Sequence, residues 1–165
     1  MRPAVMKLIT TDLINDLISQ AGASPRRRMN HNVHPQLSDP VQRLFVAARP
    51  DSYFRPHRHR TKWELVLVIS GAFELLVFDD DGRLTARQKL GPKTGAMAVE
   101  LPANTWHTWL ALSDDAVFFE TKQGPFDPQT TSEFAPWSPA EGSEEIPEFF
   151  ARLKAAKAGD MLVHP

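Results

Sequence analysis

His57-Arg58-His59, Glu64 and His107 are the residues whose types and spacing carry chemistry in this chain. On a strand, residues i and i+2 face the same way, so His57 and His59 project together within reach of one ion. Arg60–Lys62 serves as a turn, and antiparallel pairing of the next strand returns Glu64 to the two imidazoles. The face that starts at Glu64 continues as Val66 and Val68, an apolar interior. An isolated carboxylate there is costly to keep ionised. A divalent cation removes that cost and makes the ionised form the useful one. His107 lies on a later strand, after a Pro102-Ala103-Asn104-Thr105 turn. Three neutral imidazoles and a carboxylate leave two adjacent positions of an octahedral ion for water or substrate. The donor set suits one Fe(II), Mn(II), Ni(II), Co(II) or Zn(II) per chain. The chain has no cysteine, which excludes thiolate sites, iron–sulfur clusters and disulfides.

Other side chains are candidates for work beside that ion. Glu120 and Lys122 share a strand face with Phe118. Opposite charges on an interior face are expensive unless paired or functional, so Glu120 is read as a general base with Lys122 beside it. Arg55 stands at i−2 from His57 and is placed to bind a substrate carboxylate or phosphate; a salt bridge at the barrel mouth is the alternative. Arg43, on a face with Val41 and Phe45, is a weaker candidate of the same kind. Within Arg26-Arg27-Arg28, Arg27 and Arg28 offer an anion grip, with His31 nearby; a solvated loop is the alternative. His34 is read as a loop polar residue or a group behind the ligands.

The elements that must position these groups are mostly short strands. Val41 to Lys122 reads as strands near 41–48, 53–59, 63–70, 72–78, 83–90, 96–101, 105–112 and 116–122, with turns at Gly71, Asp81-Gly82, Gly91-Pro92 and Pro102–Asn104. So many short strands point to a sandwich or barrel. Leu13, Ile14, Leu17, Ile18 and Ala21 make a helical stripe that Thr11-Asp12 can cap. Ile146, Phe149, Phe150 and Leu153 make another, near 145–157. Residues 22–40 read as polar and irregular, and the prolines after Gly124 as an extended wrapping segment. The expected organisation is a helix and loop over 1–40, a barrel over 41–124 and a wrapping segment with a helix over 125–165, all in one domain.

At 165 residues the chain is long enough for one real core. Nineteen basic against twenty acidic residues leave a net charge of −1, which ranks nucleic-acid binding low. The longest apolar run, Leu65–Ile69, is far too short to span a bilayer. The N-terminus has no apolar core of a signal peptide, so the expected compartment is the cytoplasm; Met1 and Met6 are alternative starts.

The string His57-x-His59, Glu64, Gly71, then Gly95, Pro102-x-Asn104-x-x-His107 resembles the two signature motifs of the cupin superfamily. Asn104 stands where a glycine is usual, Ala111 where an asparagine is usual, and Gly95 is one residue further from the proline. Asn tolerates a left-handed turn. Further segments resemble the WbuC family of cupin-fold metalloproteins: residues 7–15, Ser24–Arg28, Asn30–Asn32, Asp39–Arg43, Arg55–His59, Lys62–Leu65, Trp106–Thr108 and Lys122–Pro125. The resemblance implies an all-β double-stranded β-helix (a jelly-roll barrel) with short terminal helices, a metal held by His57, His59, Glu64 and His107, a homodimer, and a link to surface-polysaccharide synthesis.

The expected function is a metal-dependent enzyme on a small oxygenated, anionic substrate such as a sugar or nucleotide sugar. An ion that grips a vicinal carbonyl and hydroxyl supports isomerase, epimerase or lyase chemistry through an enediolate. The alternatives are an Fe(II) or Ni(II) dioxygenase and a metal-dependent binding module without turnover.

Overall fold

The computed structural model describes residues 6–163. The lead-in that separates Met1 from Met6 lies outside them. Helix α1 (Thr11–Ala23) is capped by Thr10, whose Oγ1 accepts from the Leu13 amide at 3.2 Å. The cap is therefore one residue earlier than Thr11-Asp12. Ten strands follow: β1 (Arg28–Asn32), β2 (Val41–Ala48), β3 (His57–Arg58), β4 (Glu64–Ser70), β5 (Phe73–Phe78), β6 (Leu84–Leu90), β7 (Ala98–Leu101), β8 (Trp106–Ala111), β9 (Ala116–Gln123) and β10 (Glu133–Phe134). Helix α2 (Ile146–Ala155) follows β10, with a proline in its first turn where no amide partner is lost.

The strands form two antiparallel five-stranded sheets, ordered β1-β2-β9-β4-β7 and β10-β3-β8-β5-β6. Alternation along each strand decides what is buried where. Val66 and Val68 of β4, Phe118 of β9, Phe73 of β5 and Trp109 of β8 meet between the sheets. The outer face of the first sheet presents Phe45, Ala47 and Val117 to Leu17 and Ala21 of α1. The outer face of the second presents Leu76, Leu84 and Trp106 to Trp137, Phe149 and Leu153 of the C-terminal wrap. Strands come from all three expected segments, since β1 pairs with β2 and β10 with β3.

Three expectations need correction. The strand expected over 53–59 is reduced to His57–Arg58. Pro50 and Pro56 cannot donate to a ladder, and the Phe54 carbonyl accepts from the Thr108 hydroxyl while that of Pro56 accepts from the Ala135 amide. The stretch 22–40 is not wholly irregular: Arg28–Asn32 adds an edge strand to β2. Finally, β3 and β4 do not pair; they belong to opposite sheets. Glu64 reaches the histidines across the interior of the sandwich, not along a hairpin.

Gly71 ends β4 with φ +60, and a Cβ there would sit 2.9 Å from the Ala116 Cα. That is closer than real Cβ contacts, so the motif's closing glycine lets the β4–β5 turn approach β9.

Candidate metal centre

His57 and His107 are cross-strand partners on β3 and β8, and their ring centroids lie 4.5 Å apart. His59 follows β3, and its ring centroid lies 5.1 Å from that of His57. One ring nitrogen from each of the three falls within 4.8 Å of the others. Each Nδ1 is tied to a backbone carbonyl: His57 to Arg55 at 3.0 Å, His107 to Thr105 at 2.9 Å, and His59 to Thr131. A carbonyl only accepts, so each Nδ1 carries a proton, and Nε2 is the atom of each ring that faces the shared space and would ligate an ion in place of its own proton. That is the arrangement of metal-ligating histidines, whose second nitrogen is held by an outer partner. The donor set therefore fits a divalent ion.

Glu64 enters from the other sheet. Its two carboxylate oxygens lie 3.0 Å from His59 Nε2 and 2.9 Å from His107 Nε2. Burial alone would raise its pKa, but the charge and hydrogen bonds of His107 and His59 hold it well below the usual carboxylate range. Burial depresses His107 as well, but the Glu64 carboxylate wins and raises it. Burial, joined by the two neighbouring histidines, pushes His57 well below its ordinary value and keeps it neutral. An ion on the three imidazoles would take over the charge compensation of Glu64.

The centre opens on a cavity of about 640 Å³. Its floor on β9 carries Phe118, Glu120 and Lys122. Lys122 Nζ lies 2.5 Å from Glu120 Oε1, and both side chains are largely buried. Burial lowers the Lys122 pKa, but Glu120 and Glu64 outweigh it and raise it, so the ammonium persists. The cross-strand row Gln42–Lys122–Glu64 joins this pair to the Glu64 carboxylate.

The cationic candidates have other partners. Arg28 lines the cavity, but its guanidinium donates to the Tyr53 carbonyl at 2.7 Å, pairs with Glu141 and stacks over Phe54. Arg55 donates to the Ser138 hydroxyl at 3.2 Å and to the Ser138 and Ala135 carbonyls; it borders a neighbouring recess with Arg26 and Phe134. Arg27 adopts φ 56 and bonds Asp51 at 2.9 Å, away from the cavity. Arg43 shares its face of β2 with Phe45, outside the sandwich, and pairs with Asp39 at 3.3 Å. His31 does not line the cavity either; alternation places it on the face of β1 opposite Arg28, Asn30 and Asn32.

Of two further contributions, sequence reasoning missed the first and left the second, His34, open. Residues 126–134 wall the cavity with Phe126 and Phe134, and Thr131 supplies the carbonyl that holds His59. His34 also lines the cavity. The signal was there in period two: Asn30, Asn32 and His34 share one side of an extended segment. No helix among the described residues is long and apolar enough to cross a membrane.

A family model described as a domain of unknown function (DUF6016) matches residues 9–90. No curated protein matches the chain. Solved structures do. KdgF from Halomonas sp. aligns with a TM-score of 0.50 at 20% identity, over 64% of this chain and 86% of that one. CapF, a capsular polysaccharide assembling protein from Staphylococcus aureus, aligns with a TM-score of 0.57 at 22% identity, over 67% of this chain but 32% of that longer one. Recombinant oxalate oxidase in complex with glycolate aligns with a TM-score of 0.54 at 16% identity, over 80% of this chain and 68% of that one. These neighbours are cupins, and the chain has their fold, an antiparallel jelly roll with a cluster of three histidines inside it.

Proposed function

We propose that the chain is a metal-dependent enzyme that moves a proton on a carbon next to a carbonyl, in a sugar or nucleotide sugar. One observation carries this reading: the buried Glu120–Lys122 pair lines the same cavity as His57 and Glu64. A divalent ion held by His57, His59, His107 and Glu64 supplies Lewis acidity toward a substrate carbonyl oxygen. Glu120 is the base: its carboxylate takes the proton from the adjacent carbon and returns it to the same or the neighbouring carbon. Lys122 Nζ, 2.5 Å from Glu120 Oε1, holds that carboxylate in place beside the substrate carbon. The apolar surround of Phe118 and Trp109 limits water at the reacting carbon. The WbuC resemblance and the fold shared with CapF support a role in surface-polysaccharide synthesis, and the resemblance supports a homodimer, which light scattering checks.

The test starts with elemental analysis of untagged protein purified anaerobically without chelator. The metal-loaded protein is then incubated in D₂O with ketoses, aldoses and nucleotide sugars. Near-stoichiometric divalent metal and deuterium at a carbon beside a carbonyl are expected. Iron or nickel with substrate-dependent oxygen uptake and no exchange would replace this reading with a dioxygenase. Tight sugar binding without exchange would replace it with a binding module.

A further inference from the structure

His34 shows the opposite polarity to the three clustered histidines. It is 5% exposed and sits in the cavity wall, two residues past β1. The Val33 amide donates to the Arg43 carbonyl at 2.8 Å, which continues the β1–β2 ladder by one bond. His34 Nδ1 meets both backbone groups of Arg43: it lies 2.9 Å from the carbonyl oxygen and 3.0 Å from the amide nitrogen. The Val33 carbonyl accepts from Lys7 Nζ instead, at 2.7 Å. The Arg43 carbonyl already accepts from the Val33 amide, whereas the Arg43 amide needs an acceptor and finds it in His34 Nδ1. Nδ1 therefore bears the lone pair, and the ring proton is on Nε2. That Nε2 is buried and has no partner among the described residues. A buried donor left unpaired is costly, so its position at a cavity wall marks a ligand contact.

The placement in the sheet says which part of a ligand it meets. His34 bonds Arg43, next to Gln42, and Gln42 pairs with Lys122, which pairs with Glu64. His34 thus lies beyond Gln42, at the far end of a row that ends at the metal centre. Neighbouring strands are spaced about 4.8 Å, so the row spans roughly 10 Å or more. A two-carbon acid gripped at the metal does not reach that far.

We infer that His34 is a specificity-determining donor: its Nε2–H binds an uncharged acceptor oxygen, a hydroxyl or carbonyl, at the end of the substrate remote from the metal. A neutral imidazole suits a sugar hydroxyl or an amide carbonyl better than a phosphate, for which a guanidinium fork is the stronger partner. This rests on the metal-enzyme reading of the same cavity.

The probes are glycolate and D-gluconate. Both have the same α-hydroxycarboxylate head for a metal; gluconate adds a chain of hydroxyl-bearing carbons. Nitrogen-15 NMR of the histidines in the metal-free full chain reads the tautomer, and calorimetry on the Zn(II)-loaded chain reads binding. The expected results are a proton on Nε2 of His34, tighter binding of gluconate than of glycolate, and about tenfold weaker gluconate binding in H34N with glycolate affinity and zinc content unchanged. Asn keeps an acceptor for the Arg43 amide but is too short to reach the cavity, so H34N preserves the fold where H34A would unpair the backbone. A proton on Nδ1, no preference for gluconate, or a preference that H34N leaves intact overturns the assignment. Failure of the wild-type chain to take up Zn(II) overturns the metal-enzyme reading instead, and the tautomer measured without metal still decides the polarity of His34.

Discussion

His57 and His107 stand directly opposite each other on β3 and β8, and each holds its Nδ1 on the carbonyl two residues before it. The same local rule orients both rings, so the pairing of β3 with β8 is enough to bring the two Nε2 atoms together. The third ring, His59, needs Thr131, seventy-two residues away.

That difference predicts how the centre fails. H57A and H107A each remove a ligand and lower metal occupancy and thermal stability together, because the ion binds only the folded chain. At a free metal concentration a hundredfold above Kd, the wild-type chain gains about 2.7 kcal/mol from the ion, and the variants lose most of that gain. Metal analysis paired with melting curves, with and without added Zn(II), checks this. Unchanged metal content in both variants would show that other residues hold the ion.

How far the sequence went depends on whether a feature was local. Strand β2 was legible because Val41–Ala48 is apolar where it meets the core. Strand β1 was not: Arg-Met-Asn-His-Asn has no apolar alternation, and it is a strand because β2 offers it an edge. That His57, His59, Glu64 and His107 come together was legible from their types and spacing. The side from which Glu64 approaches was not, since a short connection between two strands is compatible with a hairpin or with a change of sheet. His34 was ambiguous for a like reason: its polarity is set by the Arg43 amide, and only the β1–β2 register reveals that.

Asn104 is a point where the sequence departs from its resemblance and the structure explains how. Its φ is 68, and its amide donates to the His59 carbonyl at 2.7 Å. Asn and Gly accept that conformation; other residues pay for the Cβ. N104G is expected to leave stability unchanged within a few tenths of a kcal/mol, and N104A to cost about 1 kcal/mol. Urea unfolding of the metal-loaded proteins measures both. Equal destabilisation by the two would mean that the Asn side chain, not the backbone, is what the turn needs.

Glu141 anchors the C-terminal wrap to Arg26 and Arg28. Burial alone would raise its pKa, but the two guanidinium groups lower it. A carboxylate depressed in the folded state adds stability that is present above its unfolded value, about 4.3, and is lost as pH falls through the folded one. The wrap should therefore loosen on the acid side, below about pH 4. Trp137 in this segment gives a fluorescence readout. E141Q should flatten the acid limb of that signal while lowering stability at neutral pH. An acid limb as steep in E141Q as in the wild type would assign the transition to another group.

The Glu120–Lys122 pair can be tested as structure and as chemistry at once. Both residues are on the inner face of β9, two apart, with Nζ and Oε1 at 2.5 Å. Removing one partner leaves an uncompensated buried charge, so K122M should destabilise by about 3 kcal/mol. E120Q strands the ammonium and should cost a similar amount. The double variant E120Q/K122M removes both charges and should recover most of the lost stability. A pair that served only the fold would regain its deuterium exchange in the double variant along with its stability. A base cannot be recovered that way: exchange should stay down by about a hundredfold or more in E120Q and in the double variant, with metal content unchanged. Exchange that returns with stability would remove Glu120 from the chemistry and leave the pair as the device that keeps a charged floor beneath the cavity.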